Sequence, residues 1–509
     1  MLIRRFANAE LVALASSVAL AALSAAATAK DLPPSPEGAA KLQAFFAAYV
    51  GKPAAGQPPA ISVTAESADY AIALDLAAIA APANALGFTF DPAKIVYKVT
   101  EQDDGTWRVE NAGFPTLAAH IHAEKNGAAV EGAETITIAN AAGQAVIDPA
   151  IGFWRSLAFA ADSLQIQAKF PGVDESIQSG AMKASGAGQA AADGAVSGAI
   201  NQSLASLNLK FFVDPKAMKA AKGGADDQAT DSQPVTVTAT ADRAGGEVKF
   251  DGLKARALLD LWAFVVAHPT RAELAANEAA FKTLLTTVVA SQPKIDETAT
   301  LDKLAVQIPQ GQVAIDSAKL GVSAAGGASG AFGEHFEASG LTLPPTLIPV
   351  AYSGFAPTAV VFGFRASGLD VAGAAAEAIA DLHLAGDGPP ISGDDAAKAR
   401  AKLIGPAGIV IDVEPSHVVA PLIDLSFEGR IVYKGAKPTG AMTVRMKNFD
   451  KTMAALKTLG PEVEKKAAPM LAMAKGLAKT DGDSLLWVGE IGADGVMKVN
   501  GLPLGKAPL

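Results

Sequence analysis

The spacing of apolar positions changes along the chain. Over residues 35–50 it is helical: Leu42, Phe45, Phe46 and Val50 recur on one face, Ser35-Pro36 supplies an N-cap and a first-turn proline, and Gly51 ends the run. From Ile61 to Val213 the period is mostly two. Residues 94–99 and 106–110 flank QDDG and predict a β-hairpin, and residues 135–138 and 164–170 alternate as half-buried strands do. Residues 179–198 are Gly, Ala and Ser with few large apolar side chains, so a loose helix or a loop is expected there.

Residues 215–234 are small, charged and aperiodic, the composition of a linker. Strand periodicity resumes at Val235. Two helices follow: one over residues 254–267, and one that opens on the capping-box pattern Thr270-x-x-Glu273 and carries Phe281, Leu284, Leu285 and Val288. The remainder alternates strands with short helices. Residues 414–433 read as a strand pair, 461–479 as a helix, and 485–491 with 496–499 as a terminal hairpin. The expected organisation is a leader over 1–29, a strand-rich domain over 30–214, a linker over 215–234 and an α+β domain over 235–509. The fold class is α+β, dominated by long, curved antiparallel sheets with helices packed on one face. An outer-membrane β-barrel is the second architecture, opposed by the amphipathic helices and by aromatic residues at only 6 %.

Three segments share one shape: Val248-Lys249-x-x-Gly252-Leu253, Phe364-Arg365-x-x-Gly368-Leu369 and Val444-Arg445-x-x-Asn448-Phe449. Each reads as a strand that ends in a left-handed turn at Gly or Asn, followed by a bulky plug and a helix. Lys249, Arg365 and Arg445 could form a basic row for anions. The simpler reading makes them outward residues paired with nearby acids.

The last of these segments lies in Gly440-Ala441-Met442-Thr443-Val444-Arg445-Met446-Lys447-Asn448-Phe449, and the chain closes on Gly501-Leu502-Pro503-Leu504-Gly505-Lys506-Ala507-Pro508. This C-terminal stretch, about the last 80 residues, resembles the DUF2125 family of alphaproteobacterial proteins. The resemblance implies an exported or membrane-anchored envelope protein and brings no catalytic residues with it.

Residues 1–29 agree with export. Arg4 and Arg5 precede an uncharged Ala/Leu/Val run from Leu11, which ends in the small residues Ala27-Thr28-Ala29, the layout of a secretory signal peptide. The expected address is the periplasm. If residues 11–29 are retained, they tether the protein to the inner membrane, facing the periplasm. The net charge of −10, with no basic stripe, argues against nucleic acid. The absence of cysteine removes thiol nucleophiles, thiolate zinc sites and iron–sulfur clusters, and leaves stability to burial.

Candidate chemistry is sparse. His120-Ile121-His122 with Glu124 has metal-like spacing, because residues two apart on a strand share a face. An exposed strand face explains the same residues. His335 and Glu337 share that spacing, His268 suits a helix C-terminus, and His383 and His417 are isolated. Asp103-Asp104 sits in a hairpin turn and Asp394-Asp395 in a helix's first turn, both places that favour Asp structurally. Ser329 lies in a Gly-rich loop without the G-x-S-x-G spacing, and no P-loop, dinucleotide fingerprint or H-E-x-x-H occurs. No cofactor is implied. Two functions remain. The first is a non-enzymatic envelope protein that binds a hydrophobic ligand such as a lipid, or scaffolds another envelope protein. The second is a periplasmic hydrolase with a site assembled from distant acids or from His120 and His122.

Overall fold

The structure is a computed structural model, and it describes residues 29–51, 59–81, 84, 87–111, 113–125, 128–216, 233–405, 408–434 and 437–506. The leader 1–29, apart from Ala29, and most of the linker 215–234 lie outside the described residues. Two compact units are present: unit 1 is residues 29–291 with 384–386, and unit 2 is residues 292–383 with 387–506. The division thus falls after the helices that follow the linker. The strands flanking residues 215–234 pair with one another, Val213 opposite Val235.

Unit 1 contains β1 (Ile61–Ala65), β2 (Tyr70–Asp75), β3 (Phe88–Phe90), β4 (Lys94–Glu101), β5 (Trp107–Asn111), β6 (Leu117–Lys125), β7 (Ala128–Ala139), β8 (Ala142–Asp148), β9 (Phe153–Ala161), β10 (Ser163–Phe170), β11 (Val173–Ser179), β12 (Met182–Ala190), β13 (Val196–Val213) and β14 (Val235–Leu253). All pairings are antiparallel. Strand β13 is long enough to hold β14 on one edge and two strands end to end on the other, β12 against its first half and β11 against its second. Two branches leave from there: β12–β9–β8–β5–β4–β2–β1, and β11–β10–β7–β6–β3.

Helix α1 (Pro36–Val50) covers one face of the first branch. Ser35 caps it, its hydroxyl accepting from the Gly38 N–H at 2.9 Å. Leu42, fully buried, and Phe45 pack onto Tyr70, Val99, Trp107 and Val109, with the Phe45 and Trp107 rings edge-on at 4.9 Å. A short α2 (Leu76–Ala80) follows β2. After β14 come α3 (Ala255–Ala267), α4 (Arg271–Ala276) and α5 (Glu278–Val289).

The capping box at Thr270 and Glu273 forms in both directions. The single helix expected after it is broken at Asn277, which leaves the helical region and turns its side-chain amide onto the Glu273 carbonyl at 2.9 Å. Residues 179–198, expected as a loose helix or a loop, are corrected in part: they hold the end of β11, strand β12, a turn over 191–195 and the start of β13. Their small residues are needed for close strand approach. A Cβ on Gly198 would lie 2.1 Å from the Ala187 carbonyl oxygen, and one on Gly188 2.6 Å from that of Trp154.

Unit 2 is a meander. Strands β15 (Lys294–Ile308), β16 (Gly311–Ala325), β17 (Gly330–Ser339), β18 (Ala359–Leu369), β19 (Ile409–Ala420), β20 (Ile423–Lys434) and β21 (Lys437–Lys447) pair in sequence. β21 then pairs with β23 (Ser484–Ile491), which also holds β22 (Lys479–Asp481) and β24 (Val496–Val499). β25 (Leu502–Lys506) closes the order. Helices α6 (Val371–Ala380) and α7 (Gly393–Leu403) follow β18, and α8 (Phe449–Thr458) and α9 (Pro461–Leu477) follow β21.

The protein is therefore mostly antiparallel sheet, consistent with the α+β class. The barrel alternative is overturned, because the pairings of the described strands do not close in either unit. Among the described residues, no helix is long and apolar enough to cross a membrane.

Candidate functional site

Strict alternation divides the unit 2 sheet into two chemically opposite faces. On one face the paired rows run Ala299–Leu320–Phe336–Phe362 and Glu297–Val322–Glu334–Phe364–Val413. They continue through Phe427–Val444–Trp487 and Leu425–Met446–Leu485. The rings of Phe332 and Phe364, Phe362 and Phe364, and Phe362 and Phe427 are neighbours at 6.1–6.4 Å. The opposite face carries Lys319, His335, Glu337, Arg365, Asp412, Glu428 and Arg445.

The apolar face is closed at one end only. Helices α8 and α9 cover the β21–β23 end, where the Trp487 indole N–H donates to the Ala474 carbonyl at 2.7 Å and Phe449 is buried beside it. Over β16–β18 the face lies open: Leu320 is 45 % exposed, Phe362 40 %, Phe336 37 % and Phe332 36 %. Apolar side chains of this size, contiguous and uncovered, mark a binding surface far more often than chance exposure does.

The polar groups of this face include the carboxylates Glu297 and Glu334, the Ser416 hydroxyl at the β19 bulge and, at the end of β20, the exposed Tyr433 hydroxyl. Ser416 is buried; its hydroxyl donates to the Glu414 carbonyl at 2.8 Å and accepts from the Gly363 N–H at 3.2 Å.

The histidine pair sits on β6 in unit 1. The His120 and His122 rings stack at 6.4 Å, but each meets its own carboxylate: His120 Nε2 lies 3.1 Å from Asp91 and His122 Nδ1 lies 3.9 Å from Glu131. Glu124 stands opposite Ala129 in the ladder, and its side chain lies outside the described residues. Among the described residues no three His, Asp or Glu side chains converge as metal ligands do.

On the polar face of unit 2, His335 does meet two acids, Nε2 at 2.7 Å from Glu337 and Nδ1 at 3.4 Å from Glu414. That hydrogen bond, helped by the charges of Lys319 and His417, holds the Glu337 carboxyl below the usual range. His268 Nδ1 bonds the Phe264 carbonyl at 2.8 Å at the end of α3, as a helix C-terminus favours. Asp104 accepts from the Thr106 backbone at 3.0 Å within its turn, and Asp394 and Asp395 open α7.

The three strand–turn–helix copies form as the sequence predicts. Gly252, Gly368 and Asn448 all take left-handed conformations, with φ of 74°, 81° and 59°. Their basic residues do not act as one row: Lys249 pairs with Glu247 at 2.8 Å and Arg445 with Glu428 at 3.3 Å.

The open aromatic face escaped sequence reasoning. Its signal was present in Phe332-x-x-x-Phe336 and Phe362-x-Phe364, phenylalanines at strand spacing on consecutive strands. Periodicity tells which side chains share a face; it does not tell whether anything covers them. Comparison with family models, with curated proteins and with solved structures gives no match.

Proposed function

We propose that this protein is an exported, non-enzymatic component of the cell envelope that holds lipid acyl chains on the open face of unit 2. The observation that carries the reading is the uncovered patch of Leu320, Phe332, Phe336 and Phe362. From β16 to β18, where the face lies open, it spans two inter-strand steps of about 4.8 Å, roughly 10 Å, wide enough for hydrocarbon chains laid side by side. Its exposed side chains are aromatic and aliphatic, which suits hydrocarbon. The periplasmic address rests on the leader's composition and on the C-terminal resemblance to DUF2125 proteins.

Native mass spectrometry of full-length protein purified from its own membranes tests the reading. Co-bound lipid is expected, and a Phe336→Asp/Phe362→Asp variant should lose it. A lipid-free wild type, or equal lipid on wild type and variant, overturns the proposal. The lipid-free result would leave scaffolding of envelope proteins as the use of the face.

A further inference from the structure

We propose a second binding site, in unit 1, for an anionic amphiphile: a single apolar chain bearing a phosphate or carboxylate head. It is independent of the reading of unit 2. The site is a groove of about 1200 Å³ on the first branch of the unit 1 sheet. Its floor includes one continuous in-register row, Lys98–Glu110–Gln144–Ala158–Ser185–Asn201, crossing β4, β5, β8, β9, β12 and β13. The neighbours of these residues along β4, β5, β8 and β9, namely Val99, Val109, Ala145 and Leu157, are buried. By alternation the floor is the opposite face of the same strands, turned to solvent.

Two features give the groove its chemistry. Its middle holds the small apolar groups Ala142, Ala158 and Ala160, with Ala142 beside Ala160 and Ala158 beside the Gln144 amide across β8 and β9, and this leaves room for a chain to lie on it. Its charge is the reverse of the whole molecule's. Lys94 and Lys98 stand on β4 and Lys183 on β12, against the single acid Glu110, in a chain of net charge −10.

Glu110 is already engaged, by Arg108 at 3.2 Å and by the Gln144 amide at 3.3 Å. Lys94 and Lys98 reach acids outside the groove at the long distances of 4.0 and 3.6 Å. Lys183 has no carboxylate partner among the described residues. An apolar strip beside surplus positive charge, with the Gln144 and Asn201 amides and the Ser185 hydroxyl as further donors, is complementary to an anion carried on a hydrocarbon chain.

The test is calorimetric titration of the full chain carrying Phe336→Asp/Phe362→Asp, which disables the acyl-chain face of unit 2, with decyl phosphate below its micellar concentration, alongside inorganic phosphate and decyltrimethylammonium. Decyl phosphate should bind and the other two should not. Lys183→Glu should weaken binding about tenfold or more, as loss of one charge-assisted hydrogen bond implies. Ala160→Phe, directly opposite Lys183 in the ladder, should abolish it by filling the floor. Both positions are exposed, so the melting temperature should hold and report intact folding. Because the unit 2 face is disabled in this background, binding here reports the unit 1 groove alone, which separates failure here from failure of the acyl-chain reading. Equal binding of inorganic phosphate would reduce the groove to an anion site. Equal binding of the cationic amphiphile, or an unchanged affinity in Lys183→Glu, would sink the proposal.

Discussion

Phe336 lies directly opposite Phe362 across the β17–β18 ladder, and the two side chains are 37 % and 40 % exposed. Cross-strand aromatic pairs stabilise sheets modestly, but this pair lacks the covering layer that makes a core residue expensive to remove. Phe362→Ala should therefore cost less than about 2 kcal/mol, against the roughly 3–5 kcal/mol typical of a buried phenylalanine. Leu42→Ala, at the fully buried centre of the α1 interface, should cost about 2–5 kcal/mol. Urea denaturation of the two variants beside wild type measures both. A cost for Phe362→Ala as large as that for Leu42→Ala would mean that the face is covered in solution.

Glu134 lies on the apolar side of β7, in the row Ala119–Glu134–Ala168–Glu175–Phe211. Partial burial raises its carboxyl above the ordinary range, and the charge of Glu175 adds to the effect. The folded protein thus holds a proton on Glu134 where the unfolded chain has released it. Stability from this group is greatest at low pH and is lost as pH rises through the window between the ordinary and the raised value. Glu134→Gln should accordingly raise stability at neutral pH and make little difference at pH 4. Denaturation midpoints of the two proteins across that range give the comparison; a variant less stable than wild type at neutral pH refutes it.

Glu337 should behave with the opposite sign. Its carboxyl is held low, first by the hydrogen bond from His335 and then by the Lys319, His335 and His417 charges. Its contribution is present above the unfolded value and disappears as pH falls through the folded one. Because Glu337 is 45 % exposed, solvent screens the pairing and the effect is small. Glu337→Gln should lower the melting temperature slightly at pH 7, and the gap should close near pH 3. A gap that widens on acidification would show that the pairing stabilises nothing.

Local chemistry was legible in the sequence and tertiary cover was not. The Ser35 cap, the Thr270 capping box, the hairpin of β4 and β5 and the left-handed turns at Gly252, Gly368 and Asn448 depend on neighbouring residues, and all form. Residues 179–198 misled because a Gly/Ala/Ser run carries almost no periodic signal. Its reason for being small lies in the Trp154 and Ala187 carbonyls, which belong to neighbouring strands. The groove of unit 1 was hidden likewise. Lys98, Glu110, Gln144, Ser185 and Asn201 become neighbours only through five successive ladders, and nothing in their spacing along the chain announces the row.

The three turns allow a graded test of why they carry Gly or Asn. A left-handed residue with a Cβ costs about 1–2 kcal/mol where nothing else intervenes. At Gly252 a Cβ would meet nothing closer than 3.6 Å, so Gly252→Ala should cost roughly that backbone term alone. At Gly368 a Cβ would stand 2.4 Å from the Gly408 carbonyl oxygen, so Gly368→Ala must also displace the Gly408 segment and should be clearly the worse of the two. Asn448 takes φ 59° and its side chain makes no capping bond, so Asn448→Gly should be close to neutral and Asn448→Ala should lose about 1 kcal/mol. Chemical denaturation of the four variants should rank them Gly368→Ala, Gly252→Ala, Asn448→Ala, Asn448→Gly from least to most stable relative to wild type. If Gly368→Ala is no worse than Gly252→Ala, the contact between the β18 turn and Gly408 is not the constraint that keeps glycine there.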